Sequence, residues 1–146
     1  MLEGNVGSGR MPLPPQYVGG LAQAEARHQK ALIAESKREY EKTGKVEDRP
    51  HVTDKDTKRS KHAVKFQEEH GYPITDLAKV RKDYPDVDVK GILAKGRAAY
   101  MSSGSRPNVT ANQWAYARLA SVLEGGKALR IDKDLVGKKS LEKITS

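Results

Sequence analysis

TANQWAYARLASVLEGG, residues 110–126, is the most apolar stretch of the chain that also carries the signals for both ends of a helix. Thr110 and Gln113 match a capping box, in which the threonine hydroxyl accepts from the Gln113 amide and the Gln113 side chain reaches back to the Thr110 amide. Such a threonine cap stabilises a helix by about 1 kcal/mol. Gly125 and Gly126 end the helix. We therefore predict the central core helix of the fold here. Its inward side chains are predicted to be Trp114, Ala115, Ala117, Leu119, Val122 and Leu123.

The other helices are predicted before and after this central helix in the sequence. A preceding helix occupies DVDVKGILAKGRAAYM, residues 86–101, with Asp86 or Asp88 as its cap. A short helix capped by Thr75 ends before Pro85, and another spans about 57–70 and ends at Gly71. After the central helix, Asp132 is predicted to cap one more short helix.

The first helix, within residues 21–44, is rich in Ala, Glu, Lys and Gln but has only a thin apolar stripe. We expect it to pack on one side and to project from the body. No stretch alternates as a strand would. The fold class predicted is all-α: a small irregular helical domain of about five or six helices with extended N- and C-terminal tails.

The composition divides the chain into three parts. Residues 1–19 are Gly/Pro-rich and are predicted to form an extended N-terminal arm, 20–136 the helical domain, and 137–146 a C-terminal tail. Ordering the nineteen arm residues costs about 1 kcal/mol each at the low end of the usual range. The arm has few apolar side chains to offset that cost, so we expect it to be ordered only against other subunits.

Composition narrows the function classes. The 146 residues fit one domain, and the hydrophobic fraction of 36% gives a small core. Cysteine is absent, so the chain has neither disulfides nor thiolate zinc sites. No apolar run is long enough to span a membrane, and the start is not a secretory signal, so no membrane is expected. The net charge of +8 is interleaved with acids, which leaves contact with a polyanion such as nucleic acid open.

The connector SSGSRPNVT, residues 102–110, is the candidate binding site. Backbone amides before a helix, serine hydroxyls and an arginine can bind an anion or a partner protein. Against this, the Thr110 capping box already uses amides that an anion would need. The alternative is a plain turn shaped by Gly104 and Pro107, with Arg106 paired to a carboxylate. Both readings remain open at this point. The predicted partner- or anion-binding residues are Ser102, Ser103, Gly104, Ser105 and Arg106.

Other candidate sites are weaker. GNVGSG (4–9) and VGKKS (136–140) lack the companion residues of a phosphate loop. His62 and His70, with Glu69 beside the latter, show no metal-binding spacing. The acid pairs Asp86/Asp88 and Asp132/Asp134 are better explained by helix capping than by acid–base chemistry. We therefore predict no enzyme activity, no catalytic residue, no cofactor, no metal and no small-molecule substrate.

Three stretches carry a family resemblance: residues 13–50, residues 60–74 and, above all, AAYMSSGSRPNVTANQWAYARLASVLEGGKA, residues 98–128. Together they resemble an uncharacterised domain of tailed phages and of large DNA viruses of algae and amoebae, over roughly residues 12–135. The resemblance implies a viral origin and a place in or near the virion, and it carries no catalytic residue.

The function expected is a structural component of a virus particle: a minor capsid, neck or other virion-associated protein. It would contact other virion proteins and occur in the virion, and in the host cytoplasm during assembly. The alternative is a small basic nucleic-acid-binding viral protein that makes non-specific phosphate contacts.

Overall fold

The computed structural model describes residues 17–18, 21–53 and 60–146. Their secondary structure is helical, apart from an isolated antiparallel bridge between Val87 and Val136. The seven α-helices described are α1 (Gln23–Thr43), α2 (Lys61–His70), α3 (Leu77–Asp83), α4 (Val89–Ser102), α5 (Ala111–Leu123), α6 (Lys127–Asp132) and α7 (Lys138–Thr145), with a 3₁₀ turn at Lys133–Leu135 between the last two. The predicted small all-α domain is confirmed. Within the described ranges, no helix has both the length and the apolarity that crossing a bilayer requires.

The centre of the fold is the pair α4 and α5. Both parts of the predicted capping box form: Gln113 N lies 3.1 Å from Thr110 Oγ1, and Thr110 N lies 2.9 Å from Gln113 Oε1. Seven of the thirteen α5 residues are buried, which confirms the central core helix. Gly96 of α4 faces Ala115 of α5 so closely that a Cβ at Gly96 would lie 2.6 Å from the Ala115 Cα. A glycine at this crossing lets the two backbones approach.

Two apolar clusters flank this pair. The large cluster joins α2 to α7 and includes the fully buried Phe66, Ile92 and Leu119. The small cluster comprises Tyr100, Met101 and Ala111, and α1 lies against it through Tyr40. Trp114 was predicted as core but is half-buried at the edge of the small cluster. The indole therefore keeps one side accessible to solvent.

The helix α1 packs through one narrow face, as its thin apolar stripe predicts. Only Gln29 and Ile33 are buried among its 21 residues. It ends at Gly44, whose φ of +68° is a left-handed conformation that glycine adopts without strain. Most of the α1 surface is consequently not used by the core of its own chain.

The C-terminal prediction was wrong in part. Residues 137–146 were expected to be an extended tail, but Lys138–Thr145 form α7, whose Leu141 and Ile144 pack on the large cluster. Asp86, which lies outside α7, stabilises the first turn of this helix. The amide and the hydroxyl of Ser140 both donate to the Asp86 carboxylate. A distant residue therefore supplies the cap that the local sequence lacks.

Two predicted caps differ, and one is confirmed. Asp76, rather than Thr75, caps α3, whereas α4 is capped by Asp88, one of its two predicted caps. Asp132 ends α6 and precedes the 3₁₀ turn Lys133–Leu135, but its side chain makes no capping hydrogen bond; it is fully buried, and Arg118 donates to both of its carboxylate oxygens at 2.7 and 2.8 Å. The helix predicted at about 57–70 is α2, and residues 57–59 lie outside the described residues, as does most of the predicted arm.

Candidate functional site

The serine loop, residues 102–110, lies against the extended segment 45–53 that follows α1. Arg49 joins the two. Its Nη1 donates to Ser36 Oγ (2.9 Å) and to the Tyr100 carbonyl (2.8 Å), and its Nη2 donates to Ser105 Oγ (2.8 Å). No local sequence pattern predicts this contact, because the residues around Arg49 are those of a polar connector. One buried side chain therefore connects α1, α4 and the serine loop.

The Arg49 guanidinium is a buried charge with an unusual set of partners. The residue is 7% exposed, and the guanidinium carbon lies 3.7 Å from the centre of the Tyr100 ring. It forms no carboxylate ion pair in the described part of the chain; the nearby Asp48 carboxylate accepts from the Ala111 amide at 2.7 Å. Burial lowers the pKa of Arg49, yet a guanidinium stays charged in proteins. Neutral oxygens and an aromatic face therefore hold this cation.

The five predicted site residues follow one another at the end of α4 and in the loop after it, but they differ in exposure. Ser102 and Ser103 are exposed, and Arg106 is half-buried. Gly104 is buried and has a φ of +103°. A Cβ added at Gly104 would lie 3.0–3.1 Å from side-chain carbons of Ile33 and Tyr17. Ser105 is 1% exposed and donates to the Arg106 carbonyl at 2.9 Å. Ser102, Ser103 and Arg106 are thus the members that a partner or an anion can reach, and their binding role stays a prediction.

Arg106 and the start of the described chain meet at Trp114. The Arg106 guanidinium carbon lies 5.7 Å from the centre of the Trp114 ring, and the Tyr17 ring packs edge-on at 5.8 Å on the same indole. Tyr17 is 7% exposed, and the Nε of Arg106 is buried without a hydrogen-bond partner. The exposed part of the serine loop therefore adjoins the point where the chain enters from the N-terminal arm.

Asn108 is a second residue that sequence reasoning missed. It has a left-handed backbone, with φ of 60°, and its side chain binds the segment opposite: its Oδ1 accepts from Val52 N (2.8 Å) and its Nδ2 donates to the Thr53 carbonyl (2.6 Å). These partners lie more than fifty positions away along the chain, so no local pattern could indicate them. The serine loop is in this way fixed at both Ser105 and Asn108.

A cleft of about 210 Å³ opens between α1 and the segment 45–50. Its charged lining is mainly acidic, although the whole chain has a net charge of +8. The charged residues that line the cleft are Glu35, Glu39, Lys45, Glu47, Asp48 and Arg49. A basic side chain of a neighbouring molecule suits this cleft better than an anion does.

A separate cluster of titratable side chains joins the ends of α2 and α5. One ligand atom each of Glu69, His70 and Glu124 lies within 4.8 Å of the other two. The Glu124 side chain is 3% exposed, and Lys65 Nζ is 3.8 Å from its carboxylate. Burial, followed by the neighbouring Glu69, raises the pKa of Glu124 to about 7. The sequence predicted no such cluster because 54 positions separate Glu124 from His70.

Residues 14–139 match the model of a family of unknown function, DUF5824. The chain belongs to this family. The matched range contains both the serine loop with its Arg49 partner and the Glu69–His70–Glu124 cluster, so both features lie within the family domain. No curated protein and no solved structure matches the chain.

The raised pKa of Glu124 predicts a pH-dependent stability. Because the folded chain holds this proton more tightly than the unfolded chain, the stabilisation is fully present below about pH 4.5 and is lost as the pH rises through about 7. In metal-free buffer we expect the free energy of unfolding to fall by about 2 kcal/mol across this range. Urea unfolding between pH 4.5 and 8 measures it.

The variant Glu124→Gln isolates this effect, because it removes the titrating group but leaves Glu69, Lys65 and Tyr84 in place around it. Its stability should lose this part of the pH dependence and exceed that of the wild type at pH 8. The exposed neighbour Glu68 supplies the control, since Glu68→Gln should keep the wild-type profile. Parallel profiles for wild type and Glu124→Gln would show that the carboxyl has an ordinary pKa.

Proposed function

We propose that this protein is a structural component of a virus particle, a minor capsid, neck or other virion-associated protein that acts through protein–protein contacts. The observation that carries the proposal is the exposure of α1. A 21-residue helix is about 31 Å long, yet only Gln29 and Ile33 are buried in it. Helices in proteins gain most of their stability from tertiary packing. A long helix with so small an intramolecular contact suits an element that packs on a neighbouring protein.

The position of Tyr17 supports the same role. Tyr17 is inserted between Trp114 and the buried Gly104, which adjoins the exposed Ser102 and Ser103. Tyr17 and the accessible part of the serine loop thus belong to one region of the molecule. The composition of the predicted arm, residues 1–19, leads us to expect that it becomes ordered only against other subunits. This region and the exposed side of α1 are the proposed contact surfaces.

The family resemblance of residues 98–128 supplies the viral part of the proposal. These residues span the end of α4, the serine loop and all of α5, which are the elements that hold Tyr17 and Arg49. The same resemblance supports an occurrence in the virion, with the host cytoplasm as the place of assembly.

Quantitative mass spectrometry of purified particles tests the proposal, with infected-cell lysate as the comparison. We expect the chain in particles at a reproducible copy number relative to the major capsid protein. Abundance in the lysate together with absence from the particles would contradict a structural role.

A second candidate function, non-specific binding of nucleic acid through phosphates, is favoured by the C-terminal charges. Between residues 127 and 146 the exposed acids are Asp134 and Glu142. The exposed bases in the same range are Lys127, Arg130, Lys133, Lys138, Lys139 and Lys143. Salt dependence discriminates: this function requires that the logarithm of the DNA-binding constant fall with the logarithm of salt concentration at a slope for several phosphates. No binding at low salt would remove this candidate.

A further inference from the structure

We propose that Glu69, His70 and Glu124 form a binding site for one divalent first-row transition-metal ion such as Zn²⁺. The residues come from two helices: Glu69 and His70 end α2, and Glu124 follows α5. One imidazole nitrogen and two carboxylate oxygens can approach a common point, since all three ligand atoms lie within 4.8 Å of one another. Three protein ligands of these types, with a position left for water, are a common zinc arrangement.

The negative charge of the Glu69–His70–Glu124 cluster favours binding of a cation. The Glu124 side chain is 3% exposed, and a second carboxylate, that of Glu69, has a ligand atom within 4.8 Å of one of its own. The neighbouring cation is Lys65, whose side chain is 61% exposed and whose Nζ stays 3.8 Å away. A buried carboxylate beside another is costly unless a proton or a cation compensates it. A divalent ion between the two carboxylates would compensate both.

The orientation of His70 gives an independent reason. Its Nδ1 lies 3.0 Å from the Phe66 carbonyl oxygen, which can only accept, so Nδ1 carries a proton and the neutral ring presents its lone pair at Nε2. A carbonyl that orients a histidine through the second ring nitrogen is the usual support of a metal ligand. The stacked Phe66 ring, 3.9 Å away between centroids, holds the imidazole in place. Nε2 now accepts from the Tyr84 hydroxyl at 2.8 Å, and a metal ion would replace that hydrogen bond.

The required movement is small. Bonds of about 2.0–2.2 Å place tetrahedral ligand atoms about 3.3–3.6 Å apart, compared with separations of up to 4.8 Å here. Glu69 is exposed and can move by that amount without disturbing the core. The imidazole favours Zn²⁺, Co²⁺ or Ni²⁺ over Mg²⁺ and Ca²⁺, which prefer oxygen ligands alone. A bound ion would tie the end of α2 to the end of α5.

The test uses the untagged full chain, stripped with a chelator and titrated with Zn²⁺ by calorimetry at pH 7.5. We expect one ion per chain and, at a free Zn²⁺ concentration about one hundred times Kd, a rise in Tm of about 8 °C. Co²⁺ should give visible d–d absorption of a low-symmetry site. Glu69→Gln and Glu124→Gln should each weaken Zn²⁺ binding at least about tenfold, as does the loss of one ligand or its support in other sites.

Three further variants serve as controls and as a test of the histidine ligand. Glu68→Gln and His28→Ala change exposed residues of the same types outside the cluster and should leave Kd unchanged. Tyr84→Phe removes the hydroxyl that competes for Nε2, so it should lower the Kd for Zn²⁺; an unchanged Kd would contradict the assignment of Nε2 as a ligand. No binding below about 1 mM Zn²⁺ would overturn the proposal. So would binding that Glu69→Gln and Glu124→Gln do not weaken, since the ion would then lie elsewhere.

Discussion

Arg49→Ala should lower the free energy of unfolding by about 3–4 kcal/mol. The substitution removes three hydrogen bonds from a buried guanidinium and leaves acceptors without donors, among them Ser105 Oγ in a residue that is 1% exposed. Hydrogen bonds that involve a charged group contribute about 1.5–3 kcal/mol each, and an unsatisfied buried acceptor costs more than its lost bond. Urea unfolding of the two proteins measures the difference.

The effect should also be local. The Arg49 amide donates to the Tyr100 hydroxyl at 2.8 Å, so hydrogen exchange in residues 45–53 should become faster in the variant than exchange in α5. Arg38→Ala is the matched control, because Arg38 is an exposed arginine of α1, and its loss should cost less than about 0.5 kcal/mol. Equal losses for both variants would contradict the connecting role given to Arg49.

Gly96→Ala should lower the free energy of unfolding by about 3 kcal/mol, the upper end for overpacking. The added Cβ would lie 2.6 Å from the Ala115 Cα and 3.0 Å from its Cβ, so α4 and α5 would have to separate. This loss should appear although alanine is a better helix former than glycine by about 1 kcal/mol. Thermal or urea unfolding measures the change.

A second glycine of α4 provides the control. A Cβ at Gly91 would meet the carboxylate of Asp88, a flexible side chain rather than backbone. The weakened cap and the gain in helix propensity should nearly cancel, so Gly91→Ala should stay within about 1 kcal/mol of wild type. If Gly96→Ala proved as mild as Gly91→Ala, the helices would not be in close contact at this crossing.

The sequence was most informative where the causes are local. The capping box at Thr110 and the apolar face of α5 depend on residues within one or two turns. The capping box is confirmed, and so are four of the six predicted inward side chains (Ala115, Leu119, Val122 and Leu123), whereas Trp114 and Ala117 are half-buried. The position of Gly96 in the sequence carries no such signal. From the sequence alone, a glycine inside a helix indicates only a slightly lower helix propensity. The structure shows why a larger residue does not fit at Gly96, because Ala115 of α5 faces it directly.

The predictions that failed have causes distant in the chain. The end of the chain looked like a tail because Gly137 offers no side-chain cap. Asp86 supplies that function, and it lies 54 positions before its hydrogen-bond partner Ser140. Asp132 was predicted as a helix cap. It is buried instead, because the Arg118 guanidinium donates to both of its carboxylate oxygens and Lys95 Nζ lies 3.7 Å from its Oδ1. Charged residues are read as exposed unless their partner is known, and sequence spacing does not reveal that partner.

The candidate site divides in the same way. The serine loop was predicted as a connector between two helices from its composition, and residues 103–110 do link α4 to α5. The inward direction of Gly104 and Ser105 could not be predicted, because it depends on α1 and on Arg49. The cluster at Glu124 was missed because its members have ordinary surroundings in sequence and become neighbours only when α2 packs on α5.

Cross-linking mass spectrometry of purified particles tests the central claim most directly. Presence of the chain alone would suit a nucleic-acid-binding protein as well, whereas contacts identify a structural component. With an amine-reactive reagent, the exposed lysines of α1 (Lys30, Lys37 and Lys42) should be linked to a second particle protein. Particles that lack the chain, or that contain it with α1 lysines linked only to residues of the same chain, would contradict the account.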